Sequence, residues 1–357
     1  YEASRTTQYR ALNAEVGGYT ASFDATFNYA TATSIAAQRV TDEAALVNGI
    51  SWTTRELAFS LSPGALKTIT GTNPIIKAPN VSGNVVTLNA GQGLGQAIAT
   101  VSLDTTTIPA DLANLTTTQK DALVAIAGAE RSDFVNFGSS ATVITVAPKQ
   151  PLNFSAATAL NVDVTGNAYL ASMGDALLAN VSVSGEARFK VRGSIVNATP
   201  SGAAIDTDTL ILEASGGGIG LIANSNGSYD DQPLRVAVHT GKSLVARAQA
   251  GIDITSTATL NIDTVFSPND IKLTSTAGSL LNANGDLLIN ILGKNVVLNA
   301  AAGTIGATGG LNAINVGNSA GGGVTTNALG LVNLYGPSGY QLVIKSVVSA
   351  ADVLVTA

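Results

Sequence analysis

The chain has 357 residues, 45% of them hydrophobic but only 5% aromatic and 12% charged, with 37 glycines and no cysteine. That palette is too poor in large side chains for a conventional globular core but suits narrow layers of small and β-branched residues, and without cysteine neither disulfides nor thiolate metal sites contribute. A net charge of −6 and a pI near 4.8 argue against a nucleic-acid partner, which calls for a basic stripe, and no apolar run is long enough to span a bilayer.

From the N-terminus, Tyr9, Leu12, Val16, Tyr19, Phe23 and Phe27 step by three or four, which predicts an amphipathic helix. A second helical pattern runs over 34–48, Thr53 and Glu56 form a capping box, and Ser62, Pro63 and Gly64 close the segment. Residues 1–62 are therefore expected to be an α-helical segment packing on or capping the remainder of the chain. Beyond Leu66 the pattern changes to short alternating apolar runs separated by Gly, Asn and Asp, as in 85–89, 210–214, 234–238, 252–254 and 296–300. One interruption stands out: Thr116 and Gln119 make a capping box ahead of Leu123, Ile126 and Ala127, predicting a helix near 117–131 within an insertion over 109–136.

The strands repeat. Leu210, Leu212, Ala214, Gly217, Ile219 and Gly220 return 86 residues later as Val296, Leu298, Ala300, Gly303, Ile305 and Gly306. Leu260, Ile262, Val265, Ile271 and Leu273 return after 82 residues as Leu342, Ile344, Val347, Val353 and Val355, and 193–198 returns after 85 as 278–283. A recurring interval implies a solenoid, because stacked coils pass their period to the sequence whereas a sandwich does not. The fold expected is mainly β, a right-handed parallel β-helix with an N-terminal helical segment and one inserted helix. Its first coils would occupy 63–108 and its 82–86-residue super-repeats 137–357, each super-repeat dividing into about four coils of roughly 20 to 22 residues. About a dozen coils would make a rod of roughly 60 Å. Asparagines such as Asn197 and Asn282 are expected to stack as amide ladders at corners, and corner glycines to supply positive φ.

Residues that could carry chemistry are few. His239 is the only histidine; alternation turns Leu234, Val236 and Val238 inward and leaves His239 and Arg235 on the solvent face, with no partner evident in the sequence. Asp230 with Asp231, and Asp206 with Asp208, could be imagined as an acid and base or as a weak calcium site. Glycoside hydrolysis would also need aromatic platforms, however, and Tyr229 is the only aromatic nearby. The Gly-rich stretch 216–220 lacks the lysine and following helix of a phosphate loop and reads as a repeat corner. Asn-x-Ser/Thr sequons, including those at Asn80 and Asn226, matter only in a host that glycosylates them. No catalytic, cofactor-binding or metal residue is expected.

The motifs LSPGALKTITGT (61–72), NVSGNVVTLNA (80–90), LTTTQKDALVAIAGAERSD (115–133) and IKLTSTAGSLLNA (271–283) together resemble the very large filamentous-haemagglutinin-like exoproteins of Gram-negative bacteria. The likeness covers about 55–357 and lies in the coupled order of helix, Ser-Pro-Gly turn, coils, helical insertion and further coils. It implies a β-helical shaft of a giant extracellular or surface-displayed fibrous protein serving adhesion, matrix building or filament formation. The partners would be further copies of the chain or neighbouring repeats, and surface glycans or cell receptors. The secretion domain that such proteins carry at their N-terminus has no counterpart in the sequence, and a start at Tyr1 in a helical pattern with an end at Ala357 in mid-repeat reads as an internal piece of a longer protein. A carbohydrate- or receptor-binding module is the alternative, and a polysaccharide-degrading enzyme a weaker one.

Overall fold

The computed structural model describes residues 19–24, 66–71, 79–97, 100–104, 107, 114, 116–119, 143–147, 149–198, 204–283, 289–337 and 340–357. The chain divides into two compact units, one comprising 1–46, 50–77 and 96–150, the other 47–49, 78–95 and 151–357.

The described part of the first unit is antiparallel. Tyr19–Asp24 pairs with Leu66–Gly71, Gln96–Ala97 with Lys149–Gln150, and Val101–Asp104 with Val143–Val146. The helical stripe expected through Tyr19 and Phe23 is thus a strand there, because Tyr19, Ala21 and Phe23 also alternate with period two, and Tyr19, Thr20 and Phe23 are of types enriched in strands. The Thr116 capping box forms: Thr116 N–H donates to Gln119 Oε1 (3.0 Å) and Gln119 N–H to Thr116 Oγ1 (3.2 Å), opening a helical turn over 117–119. The remaining helix expectations, at 1–18, 27, 34–48, 53–64 and 120–131, lie outside the described residues.

The second unit is mainly β, a solenoid-like stack in which every long-range ladder between coils is parallel. Leu88, Val162, Val181, Ile205, Val236, Ser256, Ser275, Ala300, Ala328 and Ser349 are successive partners in one column, so the described residues form ten stacked coils. Nine steps of about 4.8 Å give about 43 Å of ladder, shorter than the roughly 60 Å expected from a dozen coils. A second column runs through Ala176, Ile195, Ile219, Ile252, Ile271, Val296, Val324 and Ile344, and a third on the next face through Leu260, Leu280, Ile305, Val332 and Val353. Members of these columns within the stack are buried, which makes the core a bundle of aliphatic files.

The columns correct the reading of the repeat. From Ile219, three steps up its column (Ile252, Ile271, Val296) and one turn of corner lead to Ile305, its counterpart 86 residues on. Ile195 reaches Leu280 and Ile271 reaches Val353 by the same path. The interval is therefore three coils plus one face, and the repeating element is a strand, corner and next strand: two inward aliphatics, a small corner residue, and an aliphatic four or five positions later. Ile252-Ile254-Ser256-Leu260 and Val296-Leu298-Ala300-Ile305 are instances. Coils are also less uniform than expected. Steps in the Ile195 column range from 19 residues (Ile252 to Ile271) to 33 (Ile219 to Ile252), the longest holding the hairpin Leu221–Ala223 and Tyr229–Asp231.

Corners are held by polar side chains that accept a main-chain N–H from the next coil. Asn167 Oδ1 accepts from Glu186 (2.8 Å), Asp175 Oδ1 from Ser194 (2.7 Å), Asn290 Oδ1 from Asn315 (2.9 Å) and Asn318 Oδ1 from Val343 (3.1 Å). These contacts satisfy donors where the ladder breaks, which is what an Asn-rich composition provides. Asn197 and Asn282 likewise bond backbone, to Pro233 O (2.6 Å) and Ala313 O (2.9 Å), and of the amide contacts expected of them Asn282 makes one, its Oδ1 accepting from the Asn290 side-chain amide (3.0 Å). Corner glycines divide into two groups. Gly220 and Gly306 have φ of 69° and 73°, but Gly217 and Gly303 do not need positive φ; they are required because a Cβ would meet backbone of the preceding coil.

Candidate functional site

A cluster of titratable groups lies on the outer surface where the long coil meets the one before it. Strand Ile205–Ala214 pairs in parallel with Leu234–Val238, aligning Asp206 with Ala237 and Thr207 with Val238, and His239 N–H donates to Thr207 O (2.9 Å). Thr207 points inward, so Asp206 and Asp208 flank it on the outside and the imidazole of His239 falls between them. His239 Nε2 lies 2.6 Å from Asp206 Oδ1 and Nδ1 lies 2.8 Å from Asp208 Oδ1, while Lys242 Nζ lies 3.3 Å from Asp208 Oδ2. The ring is exposed, as alternation predicts, but not alone: the partners that the sequence did not reveal are the two aspartates treated there as a separate pair. Their separation of 31 and 33 residues is set by the hairpin in the intervening coil, so only the register brings them together.

Donation to two carboxylates requires both ring nitrogens to carry protons, so the geometry is that of an imidazolium. Hydrogen bonding to Asp208 and then Asp206 raises the His239 pKa above 6.5, against an opposing effect of burial. The bond from His239 lowers Asp208 below 3.8 against an opposing effect of burial, with Lys242 adding to the lowering. A raised histidine stabilises the fold fully below its unfolded value and loses that contribution as pH climbs through the folded one; a lowered aspartate contributes above its unfolded value. The staple is therefore complete between pH 3.8 and 6.5. With the His239 side chain 52% exposed, its worth is discounted to no more than about 1 kcal/mol. His239→Ala is expected to lower stability by about that amount at pH 5 and by much less at pH 9, as read from urea unfolding at the two pH values.

Both ring nitrogens and an oxygen of each carboxylate are committed to one another, and the second oxygen of Asp208 faces the Lys242 ammonium. Among the described residues no group of three or more His, Asp or Glu could hold a metal ion, and no helix is long and apolar enough to cross a membrane.

The other candidates are dispersed. Asp230 and Asp231 sit on the exposed return strand of the hairpin, paired by register with Ile222 and Leu221. Beside it, outward-facing Asp253 is only 2% exposed and bonds Lys272 Nζ at 2.9 Å; burial raises its pKa, partly offset by that ammonium. Gly217 and Gly218 form a coil corner, with Gly218 O accepting from Ile195 N–H (2.9 Å), so the stretch 216–220 cradles backbone. Asn80 and Asn226 are exposed, but the Asn80 side chain already accepts Asn153 N–H (2.9 Å).

A further group escaped sequence reading. On strands Asn167–Ser172, Ala176–Val191, Ile205–Ala214 and Leu244–Ala248 the outward residues Tyr169, Arg188, Lys190, Ile211, Val245 and Arg247 are buried like the inward ones. Lys190 and Glu213 approach to 3.3 Å, Arg188 and Glu186 to 3.0 Å, and the Arg188 guanidinium lies 5.9 Å from the Tyr169 ring centre. The available signal was Leu244–Ala248, where only Arg247 interrupts a run apolar at both parities, as strands buried on both faces are.

The chain matches no protein-family model, no curated protein and no solved structure.

Proposed function

We propose that the chain is shaft: a segment of a giant, filamentous-haemagglutinin-like extracellular or cell-surface protein, serving adhesion, matrix or filament formation and catalysing no reaction. Its coils wind right-handed, the hand that parallel crossovers almost always take. The observation that carries the reading is the unbroken ten-member column from Leu88 to Ser349, which makes the chain's main product length and stiffness rather than a concave site. The His239 cluster supports it, since its bonding capacity goes into joining neighbouring coils. Association continues the same stacking. In the last coil Ile344, Val353 and Val355 are 39%, 49% and 39% exposed in files buried one coil earlier, a template for a further coil of the same or another molecule.

A second reading, a carbohydrate- or receptor-binding module, is favoured by one feature. The hairpin standing off the longest coil exposes Ile222 and Tyr229 beside Asp230 and Asp231. Electron microscopy of unfixed native material separates the two readings. Fibres whose axial repeat matches the coil stack support the shaft; compact single particles that bind glycan arrays, with binding lost in Tyr229→Ala, support the module and overturn it.

A further inference from the structure

The hairpin tip holds a second kind of chemistry. Between Leu221–Ala223 and Tyr229–Asp231 the chain turns through Asn224, Ser225, Asn226, Gly227 and Ser228, with Asn224 N–H donating to Ser228 O (2.8 Å) and Gly227 at φ 80°. Asn followed by Gly is the usual turn signal, because glycine alone adopts that φ without strain. It is also the pair in which a side-chain amide and the next main-chain nitrogen approach most freely. A Cβ at Gly227 would meet no atom within 4 Å apart from its chain neighbours, so the turn is open on that side.

What distinguishes this pair is Ser228. The side-chain oxygen of Asn226 accepts two hydrogen bonds from that one residue, the main-chain N–H at 2.9 Å and the hydroxyl at 2.7 Å. The hydroxyl is itself aligned by the Asn224 amide, whose Nδ2–H donates to Ser228 Oγ (3.0 Å). Two converging donors on an amide oxygen are the arrangement that stabilises negative charge when that carbonyl carbon is attacked.

We propose that Asn226 is a built-in deamidation site, converting spontaneously to a mixture of aspartate and isoaspartate. The Gly227 main-chain nitrogen gives its proton to water or hydroxide and attacks Cγ of Asn226; the C=O electron pair moves to Oδ1, where the Ser228 donors hold it. Collapse of the tetrahedral centre breaks the Cγ–Nδ2 bond, and Nδ2 leaves as ammonia with a proton from water. The five-membered succinimide is then opened by a second water at either carbonyl. The net change is amide plus water to carboxylate plus ammonium, with no oxidant or cofactor. Gly227 N–H is donated to Asn224 O at 3.0 Å in the resting turn, so the step begins by opening that one exposed contact. The product adds a third carboxylate to the hairpin that carries Asp230 and Asp231 and takes the net charge from −6 to −7, turning the tip acidic.

The test is peptide mapping of the full chain aged in mildly alkaline buffer, with a free peptide of sequence 222–230 aged alongside. The expected result is a gain of about one dalton at Asn226 and a split between aspartate and isoaspartate, the mark of a cyclic intermediate. Ser228→Ala is expected to slow conversion about tenfold at unchanged thermal stability, and Ser228→Thr, which keeps the hydroxyl, to restore it. Asn226 remaining intact while the free peptide converts would overturn the proposal, as would a Ser228→Ala chain that converts at the wild-type rate.

Discussion

Ile271→Ala is expected to lower unfolding free energy by about 2 to 5 kcal/mol, the range for truncating a buried aliphatic side chain. Ile271 is fully buried in its column between Ile252 and Val296, and the absent side chain of Gly293 leaves the room that the end of Ile271 fills. In a solenoid each layer touches only the layers above and below, so a cavity has no distant side chain to collapse into it, and ladder spacing keeps the neighbours from closing up. Val297→Ala, one coil on and pointing outward, is expected to cost less than about 1 kcal/mol. Urea titration of both variants with unchanged m values checks the contrast. Equal costs would mean that the inward files are not the core.

Gly217→Ala should be comparably damaging for the opposite reason. A Cβ there would lie 2.5 Å from Gly193 C, 2.6 Å from Gly193 O and 2.6 Å from Ser194 N, all main-chain atoms of the preceding coil. No rotamer relieves such a contact. The coils must part at that corner, straining Ile195 N–H to Gly218 O (2.9 Å), Ala250 N–H to Gly217 O (2.9 Å) and Gly218 N–H to Ser194 Oγ (3.1 Å). A loss of about 3 kcal/mol is expected from overpacking and weakened hydrogen bonds together. Gly174→Ala is the control: its added Cβ meets nothing within 4 Å and its φ is not positive, so it should be neutral or slightly stabilising. Thermal melts of the two alanine variants should therefore diverge; coincident melts would remove close coil approach as the reason for these glycines.

The sequence made the parallel stack legible because every face repeats one local demand, two inward aliphatics and a small corner, and that demand survives in residues such as Ile271, Leu273 and Ser275. It hid the coil length for the same reason: with all faces alike, Ile219 and Ile305 match in sequence while standing on different faces, and only hydrogen-bond partners distinguish a face from a coil. The capping box at Thr116 was readable because it closes within four residues. The His239 staple was not, since its partners lie beyond an insertion whose length no period predicts. Likewise Tyr19 and Phe23 fit periods of both two and nearly four, and the structure chose the strand. The corner asparagines were expected to bond one another, and Asn290 does reach Asn282; the N–H groups left where the ladder breaks claim side-chain oxygens such as those of Asn167 and Asn290 as well.

In-register stacking of consecutive coils along one continuous column is best probed by pyrene excimer fluorescence on cysteine pairs, which the absence of native cysteine makes selective. Thr274→Cys with Asn299→Cys places labels on register partners in adjacent coils, about 4.8 Å apart. Thr255→Cys with Asn327→Cys places them three steps apart in the same column, about 14 Å. The stack predicts strong excimer emission from the first pair and monomer emission from the second. Monomer emission from the 274 and 299 labels in the folded protein would contradict it.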